Sequence, residues 1–181
     1  MKLTDILPLD KWVSLEREIH QKFGIDTNIF NTDGVRISEF KEWVNRLCPE
    51  IKATDKGQSF ICAVAHMNLA AMAQNTRQAV IEECDAGLFK LVVPIFVNDE
   101  FLGAVGACGM LLDDGEADSF LINKMTEIDE DHIESLAVDL PRMSSDTAQT
   151  MRRFIESKIS RIVSHYEASE MKRDNQGATG E

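Results

Sequence analysis

Four cysteines and one histidine are the residues of this sequence best suited to chemistry. Cys62 stands four positions before His66, so that on a helix the two side chains share one face. Cys48 precedes a proline, Cys84 opens the segment CDAGL, and Cys108 lies in a glycine-rich segment, GAVGACG. No two cysteines form a CxxC pair, so their spacing alone does not identify a metal site.

These residues have two interpretations. A free cysteine is most simply a small core residue, and a lone histidine is most simply a core or rim residue. Thiolate and imidazole groups are also ligands for metal ions and iron–sulfur clusters, which the cysteines could hold if the elements that carry them converge. The candidate metal set is Cys48, Cys62 and Cys84, with Cys108, His66 or Asp85 as the fourth ligand.

The segment GAVGACG, residues 103–109, is the candidate wall of a ligand pocket. Glycine gives a strand no side chain to pack, so either a helix packs closely on this segment or a small ligand fills the space. Asp85 could cap the turn before Gly87, and Met67 could fill a gap in the core, but both could also contact a ligand. The candidate ligand-binding residues are Cys84, Asp85, His66, Gly103, Gly106 and Met67.

Composition and charge restrict the function further. The 181 residues include 19 basic and 31 acidic side chains, a net charge of −12, which argues against nucleic acid and anionic membranes as partners. The chain shows neither a signal peptide nor a membrane-spanning apolar run, so we expect a cytoplasmic protein with reduced thiols. The motifs GxGxxG, GxSxG and HExxH are missing, and we expect no enzymatic activity.

Apolar periodicity predicts helices and two β-hairpins. Alternating apolar residues flank the Asp33–Gly34 pair and the turn over 98–100, which is typical of hairpins. Pro94 cannot donate a backbone hydrogen bond, so it should mark a sheet edge or a bulge. In chain order, the predicted elements are a helix over 6–21, strands 25–30 and 35–38, a helix over 39–48, a buried helix over 56–75, strands 89–97 and 101–110, helices 116–129 and 130–140, and a last helix beginning at Ser144 or Ser145.

This order predicts an α+β fold, in which helices flank an antiparallel sheet of two hairpins and more helices follow at the C-terminus. We expect one domain over residues 1–140. The helix over 141–166 is amphipathic, so it should either dock on the domain or form a dimer contact. Residues 167–181 are polar and small, and we expect them to form a disordered tail.

The stretch CDAGLFKLVVPIFVNDEFLGAVGACG resembles the central motif of the PocR-type sensory domain. Cys48 and Cys62 also match positions where this family tends to have cysteine. The resemblance covers about residues 5–130, and two departures stand out. Asp85 occupies a position where histidine is usual, and Cys108 one where glutamine is common. The matching residues of the central motif are Cys84, Ala86, Gly87, Leu88, Pro94, Ile95, Leu102 and Gly103.

The resemblance implies a PAS-like fold and a non-enzymatic sensory role in signal transduction or transcriptional regulation. It implies that a small, mostly apolar molecule binds between the sheet and the helices over 39–75, and that the terminal helices transmit the signal. The partner would then be a second copy of the chain or a downstream signalling protein. The alternative is a redox sensor whose cysteines bind a metal ion or an iron–sulfur cluster.

Overall fold

The computed structural model of the chain describes residues 1–177. The elements in chain order are α1 (Leu3–Ile6), α2 (Leu9–Phe23), β1 (Asp26–Asn31), α3 (Leu47–Ala53), a π-helical segment (Gly57–Ala63), α4 (Val64–Thr76), β2 (Val80–Glu83), β3 (Phe89–Val97), β4 (Glu100–Cys108), β5 (Leu111–Leu112), α5 (Ser119–Thr126), α6 (Glu130–Ala137), β6 (Arg142–Met143) and α7 (Ser145–Gly177). Strands β1–β4 form one antiparallel sheet in the order β1-β4-β3-β2, and β5 pairs with β6 in parallel. None of the described helices is long and apolar enough to cross a membrane.

The two faces of the sheet have different neighbours. Successive side chains of a strand point to opposite faces, so the register assigns each residue to one side. Ile29 of β1 pairs with Val105 of β4, which pairs with Val93 of β3, and this row belongs to the main core. The helices that complete this core are α1, α2 and α7, which contribute Leu3, Ile6, Trp12, Leu15, Ile19, Met151, Ile155 and Ile159.

The other face of the sheet is covered by α4 at one end only. Leu69 and Ala73 of α4 pack against Val92 of β3 and Ala104 of β4. Beyond the Cys84 end of β3, a second core holds α3, α5 and α6 together beneath the segment CDAGL. Its largest buried residues are Leu47, Ile51, Ile61, Leu88, Ile122 and Ile133, each of which stabilises the fold by about 1.5–3 kcal/mol.

The structure confirms the predicted α+β, PAS-like fold, with a four-stranded antiparallel sheet and flanking helices. The hairpin over 89–110 forms as predicted, with Asn98 and Asp99 at positive φ in its tight turn. Pro94 lies past the end of β2 and one residue before a register shift at Ile95 and Phe96.

The first predicted hairpin is incomplete. Its turn forms, because the Asn31 side chain accepts hydrogen bonds from the backbone N–H groups of Asp33 and Val35. The predicted strand over 35–38 is wrong, however, since only a single bridge joins Arg36 to Phe30. β4 occupies one edge of β1. At the other edge the pairing stops after this bridge, where Ser38 donates a hydrogen bond to Glu16 and the chain leaves the sheet.

The predicted helix over 39–48 is also wrong. Residues 39–46 form a loop with bends, and α3 begins only at Leu47. Pro49 therefore lies in the first turn of a helix rather than ending one. Proline is tolerated there because the backbone N–H groups of the first turn have no intrahelical partner.

The predicted helix over 56–75 divides into the π-helical segment and α4, and it is less buried than expected. Phe60, Met67 and Met72 are each about half exposed, so one side of this helix faces solvent. Its apolar residues surround the helix, but the sheet end beneath it is too short to bury them all.

The last helix begins at Ser145, as predicted, and continues to Gly177. Residues 167–177 are thus helical where the sequence indicates a disordered tail. They are rich in residues of good helix propensity, and Arg173 pairs with Glu170 one turn before it. Residues 178–181, also in the predicted tail, lie outside the described part of the chain.

Gly103 is required by a close approach between β4 and β1. Its φ is +145°, and a Cβ atom there would lie 2.0 Å from the carbonyl oxygen of Phe30. Gly24, which ends α2 in a left-handed conformation with φ +64°, would place a Cβ atom 3.8 Å from the nearest neighbour, the methyl group of Met110.

We predict that Gly103→Ala lowers the free energy of unfolding by more than about 3 kcal/mol, because the methyl group collides with backbone that cannot move alone. Gly24→Ala is the matched control, and it should cost only the left-handed conformation, about 1–2 kcal/mol. Denaturant unfolding of both variants measures the difference. Equal losses would contradict the proposed close approach of the two strands.

Candidate functional site

A cavity of about 430 Å³ lies on the α4 side of the sheet, at the end that α4 leaves uncovered. Its volume falls in the range of small-molecule sites. The floor comes from β1, β3 and β4, and the walls from α3, the π-helical segment and the start of α4. The loop after β1 closes one side with Arg36, Lys41 and Trp43.

One row of the sheet defines the floor of the cavity. Asp26 of β1 pairs with Cys108 of β4, which pairs with Lys90 of β3. An acid, a thiol and an amine therefore lie side by side on three neighbouring strands. Asp26 and Lys90 are only 3% and 7% exposed, so both residues are largely buried.

All four cysteines line this one cavity, although they come from four different elements. Cys84 is held by a tight turn, in which its carbonyl oxygen accepts from the Gly87 N–H and its own N–H donates to the Leu88 carbonyl. Gly87 has φ +76°, and a Cβ atom there would lie 2.2 Å from the Glu116 carbonyl oxygen. The glycine of the segment CDAGL thus lets this turn pack directly against residues 116–118.

Asn45 holds Cys48 at the cavity. Its side-chain oxygen accepts a hydrogen bond of 2.7 Å from the Cys48 N–H, and its amide nitrogen donates to the Gly109 carbonyl oxygen, also at 2.7 Å. The same nitrogen lies 3.3 Å from the Cys48 sulfur. This one side chain joins the start of α3 to the end of β4, and so fixes two walls of the cavity relative to each other.

Glu16 of α2 fixes the loop that carries Arg36. Its carboxylate accepts hydrogen bonds from the Ile29 N–H and from the Ser38 hydroxyl. Burial raises the pKa of this carboxyl group, which the two hydrogen bonds and nearby Arg36 partly offset. Glu16 is fully buried away from the cavity, so its role is to position the loop.

His66 stacks on Phe30 above Gly106. The two ring centroids are 3.6 Å apart, and a Cβ atom on Gly106 would lie 3.2 Å from the Phe30 ring. The missing side chain of Gly106 therefore makes room for the aromatic pair. Burial, with smaller contributions from Lys90 and Arg36, lowers the pKa of His66 to about 3, so its ring is neutral at pH 7.

Most of the buried polar atoms that lack a hydrogen-bond partner belong to residues around this cavity. Among the side chains that the structure describes, six buried nitrogen and oxygen atoms have no hydrogen-bond partner, and five of them belong to residues lining this cavity. A buried polar atom without a partner costs about 1–3 kcal/mol, so such atoms mark a place where a partner is expected. The five are Asp26 Oδ1, Asn28 Oδ1, Arg36 Nη2, His66 Nδ1 and His66 Nε2.

The cysteines do not form a metal-binding cluster. Within the described residues, no three histidine, cysteine, aspartate or glutamate side chains are grouped so that they could hold one metal ion. Burial also raises the pKa values of the Cys48 and Cys108 thiols, and it raises that of Cys62 to about 11. These sulfurs are therefore protonated at neutral pH, and they line the cavity as soft, weakly polar surface.

The structure places only some of the six predicted ligand-binding residues at the cavity. Cys84, His66 and Met67 line the cavity. Gly106 lies beneath the Phe30 ring, while Gly103 is on the opposite side of the sheet, against Leu3, and Asp85 is exposed in the turn before Gly87. Sequence reasoning missed the charged residues Asp26, Arg36, Lys52 and Lys90, although Lys90 is the only charged residue in the buried strand FKLVVPIFV.

The fold is PAS-like, and the cavity on one face of its sheet has the size of a small-molecule site. The chain matches the family model described as the sensory domain found in PocR, over residues 5–166. It therefore belongs to the PocR sensory-domain family, which gives it a sensory, ligand-binding role. The match extends past the resemblance over 5–130 and includes the part of α7 that packs in the main core. No curated protein and no solved structure matches the chain.

We predict that His66 makes the fold sensitive to acid. Its folded pKa of about 3 lies below the unfolded value of about 6.5, so only the unfolded chain gains a proton as the pH falls from 7 to 5. Wild type should therefore lose about 2 kcal/mol more stability over this interval than His66→Phe, which keeps the stack on Phe30. Unfolding curves at both pH values test this, and parallel losses would show that the ring is not buried as a neutral group.

Proposed function

We propose that this domain is a non-enzymatic sensor, which binds a small, mostly apolar organic molecule in the cavity beside α4. The observation that carries the proposal is the concentration of unpaired polar atoms in one cavity of suitable size. A ligand that pairs these atoms removes their desolvation cost, whereas an empty cavity leaves it in place. Much of the remaining lining is apolar or sulfur-containing, and it would contact the body of the ligand: Phe30, Trp43, Met67, Leu88 and the four cysteines.

A route for the signal follows from the two faces of the sheet. The floor of the cavity is made of β1, β3 and β4, whose opposite face packs against α7 through Met151 and Ile155. A ligand that shifts the strands, or restricts their motion, would change the packing of α7 on that face. It would thereby favour one arrangement of the helix over another, in proportion to its differential affinity for the two. A second copy of the chain or a downstream signalling protein would then contact α7.

The alternative of a cysteine-ligated metal or iron–sulfur redox sensor lacks comparable support. The thiols share a cavity, but the described side chains contain no set of three metal ligands, and three of the thiols have raised pKa values. In the proposed function the thiols form part of the cavity surface. Ligand binding then does not require any of them to lose its proton.

A ligand screen with a cavity-filling variant tests the proposed function. We expect that, in a panel of small alcohols, aldehydes, amides and carboxylates, at least one compound at ten times its Kd stabilises the protein by about 1.4 kcal/mol, or about 3–6 °C in Tm. Ala63→Phe should weaken binding of that compound at least tenfold, because Ala63 lines the cavity.

Ala71→Phe is the matched control, since Ala71 is exposed on α4 outside the cavity. It introduces the same side chain into the same helical run without filling the site, so its affinity for the compound should equal that of wild type. A panel without any stabilising compound, or equal binding by both variants, would contradict the proposed site.

A further inference from the structure

The cavity is basic in an otherwise acidic protein. Among the residues that the structure describes, four lysine and arginine side chains line the cavity, but only one acidic side chain does. The net charge of the chain is −12, so this concentration of cations is opposite in sign to the rest of the molecule. The four cations are Arg36, Lys41, Lys52 and Lys90, and the acid is Asp26.

Lys90 is the cation whose position is hardest to explain without a ligand. It lies in the row of the cavity floor that contains Cys108 and Asp26, it is 7% exposed, and no described acidic group lies within ion-pair distance of it. Asp26 is in the same row, but Cys108 of β4 separates the two. An anion that enters the cavity would give Lys90 the charged partner that the described residues do not provide.

The other cations approach the cavity from separate segments. Arg36 comes from the loop after β1 and keeps its Nη2 atom buried without a hydrogen-bond partner among the described residues. Lys52 comes from α3, and its pKa is lowered first by burial and then by repulsion from Arg36. Lys41 and Lys52 lie over the ring of Trp43, with their nitrogens 5.4 and 5.2 Å from its centroid. An anion close to Arg36 and Lys52 would offset the repulsion between these two cations.

The cavity offers hydrogen-bond acceptors as well as cations. Asp26 Oδ1 is buried and unpaired, and a carboxylate oxygen can only accept unless it is protonated. The neutral ring of His66 provides one further acceptor and one donor, both unused. The ligand must therefore donate a hydrogen bond, for which a hydroxyl group suffices. An ammonium group would instead be repelled by the surrounding cations.

We infer that the ligand is a small organic carboxylate with an apolar body and a hydroxyl group. Its carboxylate pairs with Lys90 and Arg36, its hydroxyl group donates to Asp26, and its body contacts Phe30 and Trp43. The inference rests on the proposed function, because it assigns a chemical class to the same site. It favours an organic acid over a free phosphate, since a phosphate would leave the apolar and sulfur-containing lining without contacts.

Matched pairs of acids and amides test the charge. Titration calorimetry of wild type would use 4-hydroxybenzoate and 4-hydroxybutyrate, each against its own carboxamide, with inorganic phosphate as a third probe. At least one acid should bind at least tenfold more tightly than its carboxamide, and phosphate should not displace it. If compounds bind but neither acid binds more tightly than its carboxamide, the inference is wrong while the proposed function stands. If none of the four compounds binds, or phosphate displaces the acid, the inference is also wrong.

Lys90→Met tests the site, because methionine keeps the apolar stem and removes the charge. It should weaken binding of the acid at least tenfold, leave binding of the carboxamide unchanged, and raise the unfolding midpoint of the ligand-free protein. Arg161→Met removes one exposed positive charge from α7 and should change neither affinity. Arg36→Met provides a second test of the cavity charge. Loss of acid binding in Arg161→Met, or its retention in both cavity variants, would overturn the assignment.

Discussion

The organisation of this domain depends on the register that places Asp26, Cys108 and Lys90 in one row across three strands. An apolar helix cannot cover such a row, because two of its three side chains are charged and would lose their water without gaining partners. In the next rows of the same sheet face, Val92 and Ala104 have no polar atoms in their side chains, and α4 packs directly on them. The change from apolar to charged rows thus determines where the helix contact ends and the cavity begins.

The remaining features hold this cavity open. Asn45 joins α3 to β4, Glu16 ties the loop after β1 to α2, and Gly87 locks the turn of Cys84 against residues 116–118. The helix that forms one wall passes through a π-helical segment at Gly57–Ala63, a rare geometry that often occurs at functional sites. None of these contacts pairs the five polar atoms of the cavity that lack a hydrogen-bond partner, so those atoms remain available to a ligand.

Local patterns in the sequence predict much of the fold. The hairpin over 89–110 and the start of α7 at Ser145 follow from alternation, turn residues and capping, which act within a few positions. The segment over 35–48 could not be predicted, because tertiary contacts such as the Glu16–Ser38 hydrogen bond override its local pattern. At the site, residue type alone was enough to predict the cysteines and His66 as candidate residues. The charged residues of the floor depend on strand register, which composition and spacing do not reveal.

The most direct test of this account is a crystal structure of the protein at neutral pH. It should show an open cavity beside α4, lined by the four cysteines, with the two ring nitrogens of His66 and Asp26 Oδ1 unpaired within the chain. The account would be contradicted by a structure in which protein side chains fill this space and Lys90 or His66 is paired within the chain, because the need for a ligand would then be gone.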